Sequence, residues 1–263
     1  LTDKFNEKRI PSVVSFQHNK ILYGKFAIME KIRYPEVTIY DTKRMLGKKY
    51  DDPIIQKLMK GWPFEIKKNK NGYFSILLKS LNKRYEPFEI SGELLKYLAL
   101  IGNQRFPISE QIKKAVITVP ANFGNEQRIQ TKKAAEYAGL EVVSLLNEPT
   151  AACIAYFTLK KNLDPKGENV LIFDFGAGKL DVSLIFVSNE EITVKASDGD
   201  MNLGGRDFDE CTLNYFINKL KLKLNNMKKN ELREVIIEAK HSLSILNTTY
   251  LNLDFLDDDE IEL

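Results

Sequence analysis

The 263 residues are 43% apolar and 29% charged, and 39 basic side chains against 36 acidic ones leave a net charge of +3. That composition supports a sizeable core in one large domain or two small ones, and it excludes a disordered tail protein. The near charge balance argues against a nucleic-acid-coating protein, and the absence of eighteen consecutive apolar residues or of a basic-then-apolar start argues against a membrane span and a signal peptide.

Taken in chain order, the pattern opens as β. Val13–Phe16, a polar turn at His18–Asn19 and Ile21–Tyr23 form a hairpin pattern. A helix-like stretch from Gly24 is stopped by Pro35. A short segment, Thr42–Leu46, carries the basic pair Lys43–Arg44. Residues 64–88 alternate as a meander with a polar face, turning at Asn69–Gly72. Ile90–Leu100 has leucines at helical spacing. Lys114–Val119 is expected to be a buried strand ending at Pro120. A helix capped by Asn125 runs to Ala138, with Gly139 as its stop, and Leu140–Leu145 completes a βαβ unit. Pro149 marks the next helix start.

The polar stretch 160–169 is the expected boundary between two parts, 1–160 and 161–263. Strands follow at Val170–Phe173, Leu180–Val187 and Ile192–Ala196. Helices are expected over Phe208–Leu222 and about 230–246. Leu251, Leu253 and Phe255 alternate like an edge strand, and the last ten residues carry six acids, read as a solvated run.

Two residue types narrow the chemistry. Neither Cys153 nor Cys211 lies in a CxxC pair, which argues against a zinc site or a disulfide framework and for a reducing compartment. His18 and His241, the only histidines, leave little room for a His-centred triad. Carboxylates, lysines and backbone amides remain as tools.

The sharpest motif is Phe173-Asp174-Phe175-Gly176-Ala177-Gly178-Lys179-Leu180-Asp181. A strand delivers an aspartate, and small residues turn the chain directly into another strand. Small residues let backbone N–H groups approach a phosphate, and Asp174, with Asp181 second, could hold Mg²⁺ through its waters. With no helix following and no GK[ST], it is neither a P-loop nor a dinucleotide fingerprint. A plain glycine-turn hairpin is the alternative for this motif taken alone. Gly204–Gly205 form a second glycine pair before a helix. Glu148, at a strand-to-helix junction, could orient an attacking water or simply complement the helix dipole.

Five segments in order carry a resemblance: Asp41–Gly47, Ala115–Ala121, Asn147–Ala152, Ile172–Gly176 and Leu203–Gly205. Together they resemble the nucleotide-binding domain of the seventy-kilodalton heat-shock chaperones, the DnaK-type Hsp70 family, over about Pro11 to Phe255. The resemblance implies an α/β, actin-like ATPase fold of two lobes with mixed sheets and ATP or ADP with Mg²⁺ in the cleft.

It further implies roles residue by residue. Lys43, Glu148, Asp174 and Asp181 would be catalytic, with Asp174 holding Mg²⁺ through water. Gly176, Ala177, Gly178 and Lys179, with Gly204, Gly205, Lys240, His241 and Ser244, would bind nucleotide. Pro120 and Arg128 would relay nucleotide state. Implied partners are unfolded client proteins, J-domain co-chaperones and nucleotide exchange factors in the intact family member. The charge balance and hydropathy speak against nucleic acid and membrane as partners, and the cytoplasm is the default compartment.

The departures are specific. Lys179 stands at a family threonine, Ala177 at a glycine, Arg206 at an acid, Ile237 at a glutamate and His241 at an arginine. The family's first phosphate loop would precede Leu1, and its adenosine loop would follow Leu263. The fold is therefore expected to be truncated at both ends, and the 263 residues to hydrolyse ATP weakly or not at all. A non-catalytic, chaperone-derived interaction module is the second reading. A small-molecule kinase of the same fold is the third, disfavoured by Asn147–Ala152 and the context of Lys43.

Overall fold

The computed structural model describes residues 5–6, 8–159, 164 and 166–256, which form a mixed α/β protein with several small sheets. Its contacts divide it into two compact units: residues up to Asp174 together with Asp181–Gly199, and Phe175–Leu180 together with the residues from Asp200 onward. These units cut the chain elsewhere than the sequence boundary at 160–169, part of which lies outside the described residues.

The first unit begins with β1 (Val14–Phe16) and β2 (Ile21–Tyr23), followed by α1 (Lys25–Met29), β3 (Thr38–Ile39), α2 (Thr42–Met45) and α3 (Pro53–Met59). The order β2-β1-β3 is antiparallel, with Val14 opposite Tyr23 and Ile39. Asp52 caps α3 by accepting from the Ile54 and Ile55 amides. Partial burial opposes the charge of Asp52, but those amides and Lys48 outweigh it and hold its carboxyl below the ordinary value.

The meander follows as β4 (Glu65–Lys68), β5 (Phe74–Leu78) and β6 (Lys83–Tyr85), then α4 (Pro87–Asn103). Alternation sends Ile66, Phe74, Ile76 and Leu78 into one cluster with Val14, Phe16, Ile39, Ile55 and Ile90. Glu93, on α4, is 6% exposed and accepts from Tyr23 Oη (3.0 Å), Tyr137 Oη (2.9 Å) and Lys96 Nζ (2.9 Å).

The strand β7 (Lys114–Val119), helix α5 (Asn125–Tyr137) and strand β8 (Glu141–Asn147) form the expected βαβ unit, and β7 and β8 pair in parallel. Two details differ from the sequence reading. The residue capping α5 is Gly124, whose amide is held by the Gln127 side chain at 3.0 Å, and Asn125 is already helical. The strand β7 is not fully buried, since Val116 is 58% exposed. An apolar run reports strand propensity, but not whether both faces are covered.

Helix α6 (Glu148–Leu159) leads to the antiparallel strands β9 (Glu168–Phe175), β10 (Leu180–Val187) and β11 (Ile192–Asp200), in the order β11-β10-β9. Cys153 and Phe157 of α6 pack with Ile185 and Val187. Burial pushes the Cys153 thiol up, as suits a packing residue rather than a nucleophile.

In the second unit, α7 (Gly205–Lys219) and α8 (Asn226–Ser242) enclose Leu213, Leu222, Leu232 and Ile236. Helix α8 starts earlier than periodicity alone suggests, because the Asn225 side chain accepts from the Lys228 amide at 2.9 Å. Residues 251–255 are not a strand. Leu253 and Phe255 pack on the helix pair and the backbone turns, Leu256 N donating to Leu253 O. Their alternation reflects side-chain packing without a neighbouring strand. The acidic residues 257–262 lie outside the described residues.

Candidate functional site

In the first unit, strand ends and short helices bring three acids together. Glu148 follows β8 as the first residue of α6, Asp174 lies near the end of β9, and Asp181 lies at the start of β10. One carboxylate oxygen from each falls within 4.8 Å of the others, and Asp181 is fully buried. Glu148 Oε2 and Asp181 Oδ1 are buried and accept no hydrogen bond among the described residues. Converging carboxylates repel one another, and burial removes the water that would screen them. All-oxygen, hard anionic donors fit a divalent cation such as Mg²⁺, held directly or through its waters.

Lys43 reaches this group across 105 residues of sequence, its Nζ donating to Glu148 Oε1 at 2.5 Å. Its helix is set from several sides. Asp41 starts it in the left-handed region with φ 64°, and Trp62 Nε1 donates to Asp41 Oδ2 at 3.2 Å. Trp62 stacks on Phe64, with centroids 5.6 Å apart. Buried Thr42 and Met45 anchor the helix itself. Gly47, with φ +67°, then passes so close to α5 that a Cβ would lie 2.7 Å from the Gln127 nitrogen.

Arg128 ties the loop after β7 to the residue preceding Glu148. Its Nη2 donates to Asn147 Oδ1 at 2.8 Å and to Ala121 O at 3.4 Å, and its Nε to Phe123 O at 3.0 Å. Pro120 begins that loop and is buried. Arg128 is thereby tied to the acid-bearing turn through Asn147, a link the sequence reading missed.

In the second unit, the glycine loop closes on the start of α7. Gly176 N donates to Lys179 O at 3.0 Å, Gly205 N to Gly176 O at 3.0 Å and Arg206 N to Ala177 O at 2.9 Å. Gly204 presses on the loop: a Cβ there would stand 2.6 Å from both Ala177 C and Gly178 Cα. Ala177 itself is exposed, and Lys179 is buried at 9% exposure.

Lys240 reaches back from α8, donating to Asp209 Oδ1 at 2.5 Å and to Gly205 O at 3.4 Å. The glycine loop, Gly204, Gly205 and Lys240 thus form one group, with Asp209 as a member that sequence reasoning missed. Asp209 and Lys240 are brought together by helix packing, not by spacing. His241 is exposed on α8. Ser244 lies past the end of that helix in a turn, so the helix expected to run to 246 stops at Ser242.

The sequence pattern described as Hsp70 protein matches residues 1–262. The chain is 38% identical over 255 residues to a heat shock cognate HSP70 protein of Trypanosoma brucei brucei, covering 94% of this chain and 37% of that protein. Its identity to a ribosome-associated molecular chaperone of Zygosaccharomyces rouxii is 38% over 253 residues, covering 94% of the chain and 41% of the relative. For a ribosome-associated molecular chaperone of Saccharomyces cerevisiae the values are 37% over 257 residues, 95% and 41%. The chain therefore spans about two fifths of the length of these relatives. Among the described residues, no helix is long and apolar enough to cross a membrane.

Proposed function

Because the chain belongs to the Hsp70 protein family, we propose that it is the ATP-binding part of a chaperone of that kind, built on an actin-like ATPase fold with lobes 1–160 and 161–263. The convergence of Glu148, Asp174 and Asp181 with Lys43 on Glu148 carries this reading. Asp174 would hold Mg²⁺ through water, with Asp181 and Glu148 completing the acidic surround. The cation would neutralise phosphate charge as it develops during hydrolysis.

Lys43 holds one Glu148 oxygen and the other is buried, and this carboxylate would accept a proton from the attacking water. The loop Gly176–Lys179, Gly204 and Gly205 would serve the phosphates. Lys240, His241 and Ser244 would serve the nucleoside. In the full-length protein the cycle would act on unfolded clients with J-domain co-chaperones and exchange factors, in the cytoplasm. Association with ribosomes, named for the Zygosaccharomyces and Saccharomyces relatives, is a further role open to it.

The buried Lys179 and the basic Arg206 favour a second reading, a module that keeps the fold without turnover. Calorimetry of ADP binding with and without Mg²⁺ tests both. On the first reading, Asp174→Asn weakens binding in the presence of Mg²⁺ by roughly tenfold or more, the loss of one charged contact, and leaves metal-free binding unchanged. Nucleotide affinity indifferent to Mg²⁺ and to Asp174 refutes it and leaves the second.

A further inference from the structure

The charge balance of the whole chain conceals a local concentration. Between positions 65 and 84 six basic residues stand against one acid, Glu65, in a chain whose net charge is +3. This segment is the antiparallel sheet β4-β5-β6. Glu65 and Arg84 both pair with Leu77, and Lys67 pairs with Ser75, so these residues share the outer face. The intervening residues Ile66, Phe74, Ile76 and Leu78 turn into the core.

Ion pairing leaves most of this charge uncompensated. Glu65 sits between Lys67 Nζ at 2.7 Å and Lys79 Nζ at 2.5 Å, so one carboxylate serves two ammonium groups. Hydrogen bonds from Lys67 and then Lys79 hold its carboxyl below the usual value. Lys68 pairs with Asp51. Lys70 and Arg84 are exposed and make no ion pair among the described residues, whereas Lys83, also exposed, pairs with Leu78 and lies on the other face.

The chemistry of the face selects its partner. No large apolar side chain between 65 and 84 is exposed. Protein interfaces are depleted in lysine and centre on aromatic or apolar anchors, and membrane-surface elements insert apolar groups. A lysine-rich face without such anchors suits a polymer of phosphates, and without exposed aromatic rings it offers bases nothing to stack on. Three strands at ~4.8 Å spacing give a track about 10 Å wide.

We infer that the outer face of β4-β5-β6, with its turn at Lys70, binds the phosphate backbone of a single nucleic-acid strand without reading its sequence. The inference is independent of the nucleotide site. It also revises the expectation, drawn from net charge, that nucleic acid is not a partner: affinity follows local charge within a screening length, not the total.

Fluorescence anisotropy with a labelled oligouridine tests it on the 263-residue chain. The unmodified chain should bind with a log–log salt slope of roughly −3, about 0.7 for each of four phosphates. Changing Lys67, Lys70, Lys79 and Arg84 together to Gln should weaken binding about tenfold or more at low salt and flatten the slope. Changing Lys20, Lys132, Lys166 and Lys195 to Gln removes the same charge elsewhere and should leave affinity within roughly twofold. Photo-crosslinking of the unmodified chain, expected within 65–84, decides the matter if the first variant fails to fold. No binding, equal loss in both variants, or crosslinks elsewhere would overturn the inference. Displacement of the oligomer by polyglutamate as readily as by unlabelled RNA, or a preference for anionic vesicles, would overturn it in favour of an acidic protein or a lipid surface.

Discussion

Glu93 is buried in the first unit, where three donors meet it: Tyr23, Tyr137 and Lys96. Burial first, and then the neighbouring carboxylate, push the Tyr23 and Tyr137 hydroxyls well above their ordinary 10.0. A raised folded-state pKa favours the folded chain fully below the unfolded value. That contribution is lost as pH rises through the folded one. Stability against urea should therefore fall above about pH 10, and it should fall less steeply in Glu93→Gln, which keeps a hydrogen-bond acceptor without the charge. Glu93→Ala should cost about 1–3 kcal/mol near neutral pH by leaving two half-buried hydroxyls without their acceptor. Urea midpoints across the alkaline range check both; a wild-type midpoint that stays flat past about pH 11 would show that the tyrosines ionise normally.

At the scale of elements, the turns do the positioning. Helix α7 meets the glycine loop through backbone hydrogen bonds, and Gly204 fits because it has no side chain. Gly204→Ala would force a methyl group to within 2.6 Å of backbone atoms, which cannot swing aside as a side chain can. The expected cost is about 1–3 kcal/mol, with displacement of the loop and weaker nucleotide binding. At Gly205 the nearest loop atom would be 3.8 Å away, so Gly205→Ala should be tolerated apart from its effect on any ligand. Urea melts of the two variants side by side test this contrast; equal stability would mean that the close approach at Gly204 relaxes in solution.

At the scale of the whole molecule, apolar surface is unevenly covered. Val116 of β7 and Val143 of β8 are 58% and 60% exposed, and Leu171 and Phe173 of β9 are 64% and 62% exposed. Parallel strand pairs such as β7-β8 usually have both faces covered, and clustered exposed apolar groups promote association. The 263-residue chain should therefore bind a hydrophobic dye and self-associate at high concentration. The pair Leu171→Ser and Phe173→Ser should reduce both effects without lowering the melting temperature. Absence of dye binding would show that something covers these faces in solution.

Much of this protein could be read from its sequence, because the signals were local. Alternation predicted the hairpins and the meander, helical spacing predicted α4, α5, α7 and α8 to within a few residues, and ordered short segments indicated the family. Sequence also named Lys43, Glu148, Asp174 and Asp181 as a set, though only through resemblance. Tertiary structure alone decided what depends on distant residues meeting. It placed Lys43 on Glu148 across 105 positions, gave Arg128 the partner Asn147 and Lys240 the partner Asp209, and turned Leu253 and Phe255 into packing residues rather than a strand. It also showed a basic sheet face within a nearly neutral chain. Backbone propensity and side-chain period are properties of neighbours along the chain, whereas a carboxylate cluster or a charged face exists only once the fold has brought its members together.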